Sequence, residues 1–110
     1  MRQALLTIEV VGDGAELVLR LDGELDMSSI GTLRGCLESI DGGCRRVVLD
    51  LSLLRFVDAA GVGLVLEMHR RFEADRRALL LRGPRGEVRR AIEMSGLVAD
   101  VRVEQGELLG

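Results

Sequence analysis

Asp50-Leu51-Ser52-Leu53-Leu54-Arg55-Phe56-Val57-Asp58-Ala59-Ala60-Gly61-Val62-Gly63 is the stretch on which the fold turns. Arg46-Val47-Val48-Leu49-Asp50-Leu51, which leads into it, is almost continuously apolar, as a strand buried on both faces must be. The chain then runs into a loop bearing a carboxylate, Asp58, and into a helix that opens on two alanines and two glycines. Leu64, Val65, Met68 and Phe72 form the inward stripe of that helix, and Glu67, Arg70, Arg71 and Glu73 its wet side. Glu67 with Arg71, and Glu73 with Arg77, stand four apart in the favourable order for helix ion pairs. His69 is expected at the surface or its boundary. A buried strand, a turn and an amphipathic helix make the unit from which parallel sheets are built.

Working outward on the N-terminal side, Leu6-Thr7-Ile8-Glu9-Val10 alternates apolar and polar, and Leu17-Val18-Leu19-Arg20-Leu21 does so more loosely. Gly12-Asp13-Gly14 between them predicts a hairpin turn. After Gly23-Glu24-Leu25-Asp26 a helix follows, with Leu33, Leu37 and Ile40 on one face, Asp26, Ser28 or Ser29 as cap, and Gly42-Gly43 as stop. On the C-terminal side Ala78 to Arg82 reads as a strand. Val88, Ala91 and Ile92 line a third helix ending at Gly96, Val101 to Val103 is a last short strand, and residues 104–110 read as a frayed tail. The expected order is β-β-α-β-α-β-α-β. This is an α/β fold at the boundary with α+β: a mixed, mostly parallel sheet of four to five strands with helices packed on it, in one domain over residues 1–110.

Composition narrows the function. The chain has 110 residues, 47% hydrophobic and 30% charged, which suits a soluble single core. The 15 basic residues are all arginine and are scattered among 18 acids, so no basic footprint for nucleic acid stands out. Two phenylalanines and no tyrosine or tryptophan leave no stacking platform for bases. Two cysteines, Cys36 and Cys44, and one histidine do not make a four-ligand zinc site, nor is there a nucleophile–base pair. No cofactor, no metal and no enzymatic activity are expected. No apolar run approaches the roughly 18 residues of a membrane helix, and the N-terminus lacks a signal-peptide core, so a cytoplasmic protein without membrane insertion is expected.

The helix start at Asp58–Gly63 is where chemistry has a place, because ligands bind beyond the carboxyl ends of strands, where helix N-termini expose N–H groups. Gly61-Val62-Gly63 is the front half of a dinucleotide fingerprint, but Leu66 stands where the third glycine belongs, and the chain has no lysine for a phosphate loop. The simpler reading is close packing of helix on strand. Cys36 is expected to pack and Cys44 to lie in a loop, with a redox link between them an alternative. Arg85, Arg89 and Arg90 read as a solvated face or as a contact for an acidic partner.

The succession Gly23-Glu24-Leu25-Asp26, Val47-Val48-Leu49-Asp50-Leu51, Phe56-Val57-Asp58-Ala59-Ala60-Gly61-Val62-Gly63 and Met94-Ser95-Gly96-Leu97 resembles the STAS domain. More narrowly it is similar to bacterial anti-sigma factor antagonists, also called anti-anti-sigma factors. The resemblance runs from about residue 5 to residue 104. It implies partner switching in transcription regulation and stress response. The unphosphorylated antagonist binds an anti-sigma factor that is also a serine kinase, and a sigma factor is freed. The kinase phosphorylates the Ser or Thr directly after the loop aspartate, and a phosphatase resets it.

At that position this chain has Ala59, followed by Ala60, and neither accepts a phosphate. Four readings stay open: a constitutive antagonist, regulation at Ser28, Ser29 or Thr32, a STAS domain put to another use, or an alanine introduced by engineering. The expected partner surface is Asp26, Ser28, Ser29 and Thr32 with Asp58, Ala59, Ala60, Gly61 and Gly63. Asp26 and Asp58 also read as helix caps, and Ser28 and Ser29 likewise. Two alternatives from other classes are a STAS subunit of a membrane transport system and a sensor of a small ligand or nucleotide. Oligomeric state is not legible in the sequence.

Overall fold

The computed structural model describes residues 5–105. Its elements are β1 (Leu6–Asp13), β2 (Glu16–Leu25), α1 (Ile30–Glu38), β3 (Arg46–Val57), α2 (Ala59–Ala74), β4 (Ala78–Arg82), α3 (Gly86–Ser95), a 3-10 turn (Leu97–Ala99) and β5 (Val103–Glu104). The five strands form one sheet in the order β1-β2-β3-β4-β5. β1 is antiparallel to β2, and every later pairing is parallel. The predicted mixed, mostly parallel fold class is therefore the observed one.

Several boundaries move, each for a physical reason. The hairpin turn is Gly14-Ala15, two residues on from Gly12-Asp13-Gly14, because Asp13 still pairs with Glu16. Gly14 has φ 54°, and a two-residue hairpin loop favours glycine at its first position for this reason. β3 does not give way to a loop after Leu51. It continues to Val57 and leaves Asp58 as the single residue before α2. The register with β2 slips between Arg20 and Asp22 and again between Gly23 and Glu24. These irregularities let Leu51, Leu54 and Val57 all enter the core at a spacing of three, which hides the strand from a period-two reading. The last strand is Val103–Glu104, with Val101 buried ahead of it. Glu104, expected to begin the frayed tail, is a strand residue, and residues 106–110 lie outside the described residues.

All three helices share a single core with one side of the sheet. Leu19, Leu21, Val47, Leu49, Leu79 and Leu81 pack with Leu33 and Leu37 of α1, Leu64, Met68 and Phe72 of α2, and Val88 and Ile92 of α3. Among the described residues the other side of the sheet carries no helix. Its central residue pair, Val48 and Leu80, is still buried, flanked on that face by Arg20, Arg46 and Arg82, whose stems can cover apolar surface. Across it runs a row of alternating charge, Glu9, Arg20, Asp50, Arg82 and Glu104, one residue from each strand in register. Arg20 reaches Glu9 at 2.9 Å and Asp50 at 3.6 Å, and Glu104 takes Arg82 at 3.4 Å and Arg46 at 3.1 Å.

Side chains on α2 differ from expectation in two places. His69 is buried, 8% exposed, and its Nε2 meets Glu73 at 3.2 Å. Glu73 is thereby taken from Arg77, which instead donates to the carbonyls of Cys44 and Asp41 and lies 4.2 Å over the Phe72 ring. The Glu67–Arg71 pair forms at 3.8 Å, and Glu67 also receives both ends of the Arg34 guanidinium from α1, at 2.6 and 3.0 Å. Cys44 lies in the loop before β3, as expected, but is buried there at 2% exposure, and Cys36 is half-buried; both are free thiols.

Candidate functional site

At the carboxyl end of β2 and β3 the chain turns twice into helices, and the two turns are bound to each other. Asp58 caps α2 by accepting the Gly61 N–H at 2.9 Å through Oδ1. Its other oxygen, Oδ2, accepts the Met27 N–H at 3.1 Å from the turn before α1. The Asp58 N–H in turn donates to the Leu25 carbonyl at 3.2 Å. One carboxylate thus closes a helix start and holds the neighbouring loop.

The other turn is organised by Asp26. Its Oδ1 accepts the Ser28 hydroxyl at 2.6 Å and the Ser28 N–H at 2.9 Å. The Ser28 hydroxyl is the main reason the Asp26 carboxyl sits below its usual pKa, and backbone hydrogen bonds from Ser28 and Ser29 add to it. Ser29 is at the cap position of α1, but its hydroxyl does not cap. It donates to the Glu24 carbonyl at 2.8 Å and accepts the Asp26 N–H at 3.0 Å, stitching the end of β2 to the turn.

Gly61 is where packing is tightest. A Cβ there would lie 2.6 Å from the Leu25 carbonyl oxygen and 2.8 Å from Val57 Cγ2, so only glycine lets α2 approach the sheet this closely. Gly63 has nothing within 4 Å of such an atom and is exposed, so the packing reading holds for one glycine and not for the other. Space beneath this face is scarce. The void lined by Leu25, Leu54, Val57, Val62, Ile92 and Leu97 among others holds about 10 Å³, against the roughly 300 Å³ at which small-molecule sites begin.

The two segments are therefore contiguous, but their residues are not equally presented. Ser28, Thr32, Ala59 and Gly63 are exposed, and Asp26, Asp58 and Ala60 are half-buried. Ser29 at 5% exposure and Gly61 are buried, so they shape the surface from below and do not present to a partner. Sequence reading missed Met27, which is 76% exposed between the two aspartates. An apolar residue standing alone in the polar turn Asp26-Met27-Ser28-Ser29 was the available signal. Among the described residues, no group of three or more acidic, cysteine or histidine side chains is placed to hold a metal.

The site thus stands at one end of a single sheet with three helices packed on it, where the capped start of α2 is tied to the turn before α1. The chain belongs to the STAS domain family: residues 8–104 match the family described as "Mlab, STAS domain". Among its relatives is the anti-sigma F factor antagonist of Lysinibacillus sphaericus, 34% identical over 83 residues that cover 74% of this chain and 71% of the relative. Among solved structures it is similar to the anti-sigma factor antagonist SpoIIAA in its unphosphorylated form, at 28% identity and TM-score 0.76, covering 94% of this chain and 89% of that one. The phosphorylated form of SpoIIAA from Bacillus matches at 27% identity and TM-score 0.70, covering 94% and 92%.

Proposed function

We propose that this chain is a non-enzymatic anti-sigma factor antagonist, one domain over residues 1–110, acting in the bacterial cytoplasm. In this reading the face formed by Asp26–Thr32 and Asp58–Gly63 docks onto an anti-sigma factor of the serine-kinase type and thereby frees a sigma factor. The observation that carries the reading is the Asp58 carboxylate, which ties both segments into one preformed surface, with Met27 standing out of it. A fixed surface loses little freedom on docking, and an exposed apolar side chain ringed by polar groups is the usual form of an interface anchor. The likeness to antagonists supports the partner class.

Ala59 gives the reading its particular form. Its methyl is exposed at the helix start, where the resemblance places a phosphoacceptor, and a methyl offers a kinase nothing to modify. Binding is therefore constitutive at this position. The test is titration of the purified chain with each kinase-type anti-sigma factor of the same genome, followed by Ala59→Arg. Because Ala59 is exposed, the arginine leaves folding stability within about 0.5 kcal/mol, as surface substitutions usually do. It is expected to weaken docking at least tenfold. Unchanged affinity in Ala59→Arg rejects this face, and capture of a transporter ATPase in place of an anti-sigma factor rejects the reading in favour of a transport subunit.

A further inference from the structure

We infer that the free edge of β1 is a self-association surface, on which a second copy of this chain adds its own β1 antiparallel. The phase of β1 follows from one hydrogen bond. The Glu24 N–H donates to the Leu5 carbonyl at 2.7 Å, and the β1–β2 register is unbroken from Leu6–Gly23 to Asp13–Glu16. Alternate residues of an antiparallel pair exchange both backbone bonds. Thr7, Glu9 and Val11 therefore turn their N–H and C=O toward β2, and Leu6, Ile8 and Val10 turn theirs outward. Among the described residues nothing pairs with those outward groups, since β1 is the edge of the sheet.

This edge lacks the usual protections. It is eight residues long and has no proline, no lysine and no register shift, and its Glu9 is already engaged by Arg20 at 2.9 Å. The opposite edge, β5, is two residues long and is crowded by Arg82, Arg46 and Arg102 around Glu104. On β1, Val10 is 51% exposed and Val11 43%, and Ile8 is half-buried against the core.

The occupant is set by self-complementarity. A two-fold axis normal to the sheet allows pairing centred on Ile8, Glu9 or Val10. Centring on Glu9 sets that carboxylate against its own copy, and like charges directly opposite are destabilising. Centring on Val10 sets Ile8 against Gly12 and Glu9 against Val11. Centring on Ile8 sets Leu6 against Val10, Ile8 against Ile8, and Thr7 against Glu9, so apolar meets apolar on the helix-covered side and a hydroxyl meets a carboxylate on the other. The overlap is five residues per chain, Leu6 to Val10, which places the dimer among weak, concentration-dependent associations.

The test is sedimentation velocity from micromolar to millimolar concentration, with amide hydrogen exchange read at both ends. The wild type is expected to rise from 12.0 kDa toward twice that mass. Exchange at Leu6, Ile8 and Val10 should slow with concentration, while that at Thr7 and Glu9, already bonded to β2, should not change. Val10→Pro removes an outward N–H without touching the β1–β2 ladder, and Val10→Lys places a charge against Leu6 of the second copy. Both should stay at the mass of one chain with an unchanged circular dichroism spectrum, and Val98→Lys, on the 3-10 turn, should still dimerise. A wild type of constant mass, a dimer that leaves those amides unslowed, or Val10→Lys dimerising like wild type overturns the inference. A constant mass together with weaker anti-sigma factor binding in Val10→Lys would give the edge to another protein and also overturn it.

Discussion

Replacing Gly61 by alanine sets two effects against each other. Alanine is the better helix former by about 1 kcal/mol, and on an open helix surface that gain is realised in full. At Gly61 the added methyl would stand 2.6 Å from the Leu25 carbonyl oxygen and 2.8 Å from Val57 Cγ2. The first neighbour is backbone inside a sheet, so it is α2 that must lift. Overpacking of this kind costs about 1–3 kcal/mol. Lifting also stretches the Gly61 N–H to Asp58 bond, a cap worth about 1 kcal/mol. The balance is a loss of about 2 kcal/mol, which for a domain of this size lowers Tm by about 8 °C. Urea unfolding measures it, with Gly63→Ala as the companion. That glycine is exposed with open space around it, so its alanine variant should gain about 0.5–1 kcal/mol. If Gly61→Ala proves as stable as wild type, the close approach of α2 to the sheet is not what the glycine serves.

Asp58→Ala removes the cap and the bond to Met27 together, and should cost about 1–2 kcal/mol while weakening anti-sigma factor binding more than Ala59→Ser does; equal effects would break the link between the two turns. Ala59→Ser restores a hydroxyl at the helix start, so a kinase-type anti-sigma factor with ATP should phosphorylate the variant there and lose affinity for it by about tenfold or more, as mass spectrometry and titration would show. Phosphate on Ser28 or Thr32 of the wild type, with loss of binding, would mean that the switch has moved. Burial alone would raise the pKa of Glu104, but hydrogen bonds and charge from Arg46 and Arg82 outweigh it and hold the carboxyl below its usual value of 4.5. A carboxylate lowered in the folded state stabilises above its unfolded pKa and loses that contribution as pH falls through the folded one. The gap in unfolding free energy between wild type and Glu104→Gln should therefore be full above pH 4.5 and close below it; a gap independent of pH refutes the role of these pairs.

Element type was legible wherever the apolar period was regular. The alternation of Leu6 to Val10, the run Val47 to Leu51 and the stripe of Leu64, Val65, Met68 and Phe72 each lead to the observed strand or helix. The upper half of β3 was not, because two slips of register against β2 move the inward positions to Leu51, Leu54 and Val57. Burial of His69 was hidden as well, since a histidine at the margin of an amphipathic stripe gives no sign of whether a neighbour covers it. Within the candidate site, the acidic and small residues were readable in the order they occur. Which of them would lie beneath the surface depended on tertiary bonds, as with Ser29, whose hydroxyl serves the Glu24 carbonyl and not its own helix. Met27 differs from Ser29 in having a signal in the sequence, as the one apolar residue among polar ones in its turn.

The charged row on the helix-free face has an effect on how a partner would arrive. Glu9, Arg20, Asp50, Arg82 and Glu104 alternate in sign strand by strand, and Arg46 adds a further positive charge beside Glu104. At separations beyond a Debye length, about 8 Å at physiological salt, such neighbours cancel, and this side of the molecule projects almost no field. Asp26 and Asp58 have no ion-pair partner among the described residues, so their negative charge is left to act outward. A cationic partner diffusing in from solution would be turned toward the end of the sheet where the two aspartates lie, and its encounter rate should fall with added salt. Neutralising Arg20 and Glu9 together should leave that salt dependence as it was.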